Sequence, residues 1–190
     1  MASEVIGLTG YYCSGKSTVE NILSEGGWIV VDMDKVGHAA LENQKFVLAQ
    51  TFGNDIINND GHVDRKALGR MVFADKSKLN TLNGIVHPVM IDMLRQKIAE
   101  TDGKLVVSAA ILFDMGLDAL CSRVLVVKAP LLTIINRAKK RDGYKLNRIF
   151  KVLKSQKLRK YLRNEKVRVI KNSGSLERLR NTVEKNAVSL

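Results

Sequence analysis

A parallel α/β sheet with helices on its faces is the fold this sequence predicts, and three observations predict it. Apolar, β-branched runs recur along the 190 residues at positions 5–9, 28–31, 105–107 and 124–127, with a weaker one at 167–170. Helical patterns separate them, as expected of about five buried parallel strands joined by crossover helices. The first run leads through Gly10 into a glycine-bearing loop, and a helical pattern leaves that loop from Ser17 to Leu23. The length suits a single domain over 1–190 with room for an insertion.

The strands are unevenly spaced. About 70 residues separate the second run from the third, far more than one crossover needs. Within that interval Asp64 opens one helical pattern, Ser77 precedes a second, and Pro88 suits the first turn of a third that runs to Glu100. A helical subdomain inserted over residues 54–102 is therefore expected, between core segments 1–34, 103–140 and 166–190. Residues 144–162 place Leu146, Ile149, Phe150, Leu153, Tyr161 and Leu162 near the helical period, which predicts one or two amphipathic helices.

The strand–loop–helix unit contains Gly10-Tyr11-Tyr12-Cys13-Ser14-Gly15-Lys16-Ser17, followed by Thr18, and fits G-x-x-x-x-G-K-[ST]. Successive backbone N–H groups joined to a helix N-terminus make such a loop a cradle for phosphate oxygens. Lys16 would reach the β- and γ-phosphates and the Ser17 hydroxyl would ligate Mg²⁺, the one metal expected. A phosphate loop implies a nucleotide without fixing a reaction. The N-K-x-D base-reading segment of GTPases is absent from the sequence and the chain is short for a motor ATPase, which favours a small kinase.

The second run ends in Val31-Asp32-Met33-Asp34, so carboxylates follow a strand's carboxyl end. Alone, either would be read as the cap of the next helix, expected near Lys35. Beside a phosphate loop, Asp34 is the candidate base for a hydroxyl acceptor.

Net charge is +12, and its placement matters more than its size. Fifteen Lys or Arg face two acids between Arg137 and Lys171, leaving the rest of the chain close to neutral. Concentrated in one element, this charge calls for an anion that the element meets. No interleaved aromatic platform accompanies it, so no specific nucleic acid is expected. No apolar run approaches the roughly 20 residues that span a bilayer and nothing near the start resembles a signal peptide, so a soluble cytoplasmic protein is expected. Cys13 and Cys121 are too few for a disulfide framework.

The ordered blocks IGLTG…SGKSTV, VDMDKVGHA, FGNDIINNDGHVDRKALGRMVF, LNGIVHPVM, ILFDMGLD, KKRDG and KNSGSLERLR resemble those of the dephospho-CoA kinase family over nearly the whole chain. The resemblance implies a P-loop kinase core, an inserted CoA-substrate subdomain and a basic lid over 141–165 that closes over ATP, with ATP and dephospho-CoA as substrates. It maps the family's proposed base onto Asp34 and a phosphate-contacting arginine onto Arg141. Arg65 and His87 fall in matching segments and are candidate substrate contacts. Tyr11 and Cys13 stand where the family has glycines, and Ser108 where many members have Asp. Nucleoside or nucleotide kinases of the same core are the competing enzyme class, and a basic nucleic-acid-binding protein is the competing binding class.

Overall fold

The structure is a computed structural model, and it describes residues 2–187. Five strands form one sheet: β1 (Ala2–Gly10), β2 (Ile29–Asp32), β3 (Gly103–Ser108), β4 (Arg123–Lys128) and β5 (Val167–Lys171), in the order β2-β3-β1-β4-β5. β1 is central and runs parallel to β3 on one side and β4 on the other, with Leu8 opposite Ser108 and Gly10 opposite Val127. All five runs read from the sequence are strands. Their legibility has a physical cause: a parallel strand covered on both faces has nearly every side chain buried, as at Val124–Val127 and Leu105–Val107.

Two helices close one face of this sheet. α1 (Lys16–Glu25) buries Val19, Ile22 and Leu23, while α8 (Leu176–Ala187) buries Leu179, Val183 and Ala187, a stripe at spacing four. Both stripes join Leu125, Val127 and Ile170 in one core cluster. Each aliphatic side chain so removed from water contributes about 1.5–3 kcal/mol, which ties the helix that follows the phosphate loop to the sheet.

The chain divides into two compact units. One comprises residues up to Val31 together with those from Glu100 onward; the other is Asp32–Ala99. The second unit contains α2 (Met33–Asn43), α3 (Lys45–Phe52), α4 (Arg65–Phe73) and nearly all of α5 (Lys76–Glu100). α4 starts as expected, for the Asp64 carboxylate accepts hydrogen bonds from the N–H groups of Lys66 and Ala67.

The two helices expected around Ser77 and Pro88 are instead one. Asp75, rather than Ser77, caps α5 by accepting from the Ser77 and Lys78 N–H groups. Pro88 lies inside the helix. The ring removes the bond to the carbonyl four residues earlier, which belongs to Gly84. Both residues are exposed, so that carbonyl is free to be hydrated, while Val86, Met90 and Leu94 keep the opposite face buried. Among the described residues no helix is long and apolar enough to cross a membrane.

Candidate active site

The site is built on the loop that leaves central strand β1. Its entry is tied to the sheet, with the Tyr11 N–H donating to Val127 O at 3.1 Å, and Ser14 N–H closes a turn onto Tyr11 O at 2.9 Å. Cys13 (φ 54°) and Gly15 (φ 97°) both adopt left-handed backbone conformations. At Gly15 only glycine serves, because a Cβ would overlap the Asn172 amide nitrogen. Gly10 is equally constrained, for a Cβ there would sit 2.8 Å from Ser14 Oγ.

The outer side of the loop is braced. Asn172, buried at the end of β5, donates from Nδ2 to Ser14 O at 2.9 Å. Arg137 on α6 (Leu131–Asp142) donates to the same carbonyl at 3.2 Å and to Cys13 O at 3.4 Å. With these carbonyls held outward, no protein acceptor engages the N–H groups of Cys13, Gly15, Lys16 and Ser17 among the described residues. Ser14 Oγ is buried without a partner. Unmet buried polar groups carry a desolvation cost of about 1–3 kcal/mol each, and a run of donors at a helix N-terminus is relieved by an anion. The loop therefore fits phosphate oxygens. Ser17 is exposed and its hydroxyl makes no bond to protein among the described residues, a hard oxygen suited to Mg²⁺. Thr18 is half-buried in the first turn of α1.

Lys16 points back into the site. Its Nζ lies 2.7 Å from Ser108 Oγ and 2.8 Å from the Glu20 carboxylate. Ser108 in turn donates to the same Glu20 oxygen, closing a triangle.

The basic segment forms α6, then α7 (Leu146–Ser155), then a 3₁₀ turn at Lys157–Tyr161. It packs on the apolar side chains of the loop. Tyr11, Tyr12 and Cys13 join Ile134, Ala138 and Ile149 in a separate apolar cluster. Tyr12 stacks on Tyr144 with ring centres 6.2 Å apart, and its hydroxyl donates to Asp142. Burial, then that hydrogen bond, pushes the Tyr12 pKa up. Gln156 clasps the loop from the far end: its Oε1 accepts from the Tyr12 N–H at 2.7 Å and its Nε2 donates to Gly10 O at 3.3 Å.

Arg141 sits at this junction. It makes a two-point ion pair with Asp142, at 3.0 and 2.9 Å, and lies over the Tyr12 ring at 5.2 Å. Arg137, one turn earlier, hydrogen-bonds the backbone of the phosphate loop. Sequence reasoning did not single out Asn172, Gln156 or Glu20. Asn172 lies in the KNSG segment, directly after a predicted strand, which is a signal for a site residue; nothing in the sequence marks Gln156.

In the second unit, Asp32 caps α2, its carboxylate accepting from the Asp34 N–H at 2.9 Å. The Asp34 carboxylate is exposed and has no protein partner among the described residues. Arg65 is exposed at the start of α4. His87 is half-buried in α5, and burial lowers its pKa, favouring the neutral imidazole.

A phosphate-cradling loop at the carboxyl end of the central strand of a five-stranded parallel sheet defines a P-loop kinase fold. Residues 4–178 match the family model for dephospho-CoA kinase. A dephospho-CoA kinase of Fusobacterium nucleatum is 38% identical over 97% of this chain and 97% of its own, and one of Borreliella burgdorferi is 32% identical over 95% and 91%. A crystal structure of a Thermus thermophilus protein aligns with a TM-score of 0.83 at 30% identity, covering 97% of this chain and 96% of that one. The chain belongs to the dephospho-CoA kinase family.

Proposed function

We propose that this protein transfers the γ-phosphoryl group of ATP to the ribose 3′-hydroxyl of dephospho-CoA, giving coenzyme A and ADP. One observation carries the reading: the family match spans residues 4–178, so it takes in the inserted helices and the basic segment as well as the phosphate loop that many nucleotide enzymes share. In this reading the backbone N–H groups of Cys13, Gly15, Lys16 and Ser17, with the Ser14 hydroxyl, bind the phosphates, and Gly10 and Thr18 frame the loop. Lys16 stabilises charge on the transferring group. Ser17 would hold Mg²⁺, which supplies charge neutralisation between the β- and γ-phosphates.

Asp34 is the proposed base. Its carboxylate is uncommitted, whereas that of Asp32 is engaged as a helix cap. A carboxylate in that position orients the acceptor hydroxyl and takes its proton as the new P–O bond forms. Arg141 meets phosphate after release from Asp142, residues 54–102 carry the CoA moiety with Arg65 and His87 as contacts, and residues 141–165 act as the lid. Two free cysteines agree with a reducing cytoplasmic setting.

The test is to incubate the protein with ATP, Mg²⁺ and dephospho-CoA and to follow coenzyme A and ADP by mass. Asp34→Asn should lower kcat by roughly 10²–10⁴-fold. Asp32→Asn should have little effect, because Asn caps a helix as well as Asp does. No coenzyme A from the wild type would end the reading; a dead Asp32→Asn beside an active Asp34→Asn would move the base.

A further inference from the structure

P-loop enzymes commonly hold their metal between the loop hydroxyl and a carboxylate at the end of a neighbouring strand. Here the strand beside β1 ends in Ser108, a fully buried hydroxyl opposite Leu8, two residues before the loop begins. The carboxylate arrives from a different element. Glu20 stands on α1, three residues after Ser17 and four after Lys16, so all three share a helix face. Its oxygen accepts from both Ser108 Oγ and Lys16 Nζ.

Helix chemistry does not account for this placement. Glu following Lys by four is the less favourable order for a helical ion pair, and Glu20 lies beyond the first turn, where an acid would meet the helix dipole. Nor is it an ordinary surface pair. The side chains of Lys16 and Glu20 are only 24% and 18% exposed, and a buried serine holds the carboxylate in place. Once Lys16 turns to the phosphates, this carboxylate repels a bare triphosphate, and a second cation at the same place offsets that repulsion.

We propose that Glu20, bracketed by Ser108, is the metal-facing carboxylate of this site, doing from α1 what a strand-end acid does elsewhere. Without nucleotide, Glu20 pairs with Lys16. With nucleotide, Lys16 turns to the phosphates, and Glu20 keeps its bond from Ser108 and accepts hydrogen bonds from water in the metal's hydration shell. Each charge has an opposite partner in both states. Glu20 is thus a positioning residue that acts through water, and the proposal rests on the phosphoryl-transfer reading above.

The experiment is calorimetric titration of ATP with and without Mg²⁺, on the wild type, Glu20→Ala, Glu20→Gln, Ser108→Asp and the double variant Glu20→Ala/Ser108→Asp. Removing Glu20 should leave metal-free ATP affinity unchanged or raised, since a negative charge is gone, and should cut the Mg²⁺-dependent gain by roughly tenfold or more. Glu20→Gln keeps the shape and should behave alike, which guards against a folding defect. Ser108→Asp alone sets two carboxylates together and should bind ATP less well without metal, while the same substitution beside Glu20→Ala should restore most of the Mg²⁺-dependent gain.

An intact Mg²⁺ gain in Glu20→Gln, equal losses with and without metal, or no restoration in the double variant would each overturn the proposal. Binding is read without an acceptor, so a wild type that binds Mg²⁺ and ATP yet ignores dephospho-CoA would refute the proposed function and leave this inference standing.

Discussion

Replacing Asn172 by Ala should weaken ATP binding without touching a single atom that contacts ATP. Asn172 is 7% exposed, its own N–H is fixed by Lys128 O at 2.7 Å, and its Nδ2 donates to Ser14 O at 2.9 Å. The substitution leaves that carbonyl to the longer, 3.2 Å bond from Arg137. It also opens space beside Gly15, where the amide nitrogen now packs. A buried hydrogen bond lost on one side costs about 1–3 kcal/mol. At this size each kcal/mol corresponds to roughly 2–4 °C in Tm, so a drop of about 2–12 °C is expected. A loop no longer held in its binding conformation must be ordered by the nucleotide. If half of the lost energy, about 0.5–1.5 kcal/mol, falls on that step, the ATP Kd rises by about two- to thirteenfold. Thermal unfolding of the free protein and calorimetric titration with Mg²⁺ and ATP measure the two effects separately. A lowered Tm with an unchanged Kd would refute the reasoning, for the bond would then support the fold and not the loop's readiness for phosphate.

Two further outcomes follow from the same geometry. Lys16→Ala should lower kcat by at least about 10²-fold, as loss of a preorganised donor does, with circular dichroism unchanged; near-normal turnover in steady-state assays would remove Lys16 from the chemistry. The contact between the basic segment and the loop should depend on the Asp142 charge, because Arg141 first and Tyr12 second hold its carboxyl below the usual carboxylate range. A depressed folded-state pKa means the contribution is complete above the unfolded carboxylate value and is lost as pH falls through the folded one. Protection factors of amides in α6 and α7 should therefore be steady at neutral pH and fall only in acid, whereas Asp142→Asn should lower them already at pH 7; equal protection in that variant would separate the packing of α6 and α7 from this contact.

Local chemistry made much of this fold legible. Strands buried on both faces announce themselves as unbroken β-branched runs, and the phosphate loop is a local motif whose glycines answer to backbone geometry within the loop, so both could be read residue by residue. α5 was misread because the rule that proline opens helices is also local. Whether Pro88 ends a helix depends on what its displaced carbonyl meets, and the exposure of Gly84 and Pro88 is a property of the folded chain. α8 went unread although its stripe of Leu179, Val183 and Ala187 has helical spacing, because a mostly polar segment gains its helicity from the core it covers.

The site divides along the same line. Lys16, Ser17 and Gly15 were recognisable because their roles are set by neighbours in the chain. Tyr11 and Cys13, where the resembling family has glycines, flank Tyr12 in the loop. Their meaning appears only when α6 and α7 lie against them, since the Tyr12 ring and hydroxyl join Tyr144, Asp142 and Arg141, residues 129 and more positions away. The two departures are thus one arrangement: a loop with aromatic side chains needs a surface to bury them, and the basic segment supplies it. Glu20 was concealed in the opposite way. A Lys and a Glu four apart on a helix satisfy an ordinary surface pattern, and only the long-range bond from Ser108, 88 residues away, turns that pattern into part of a site.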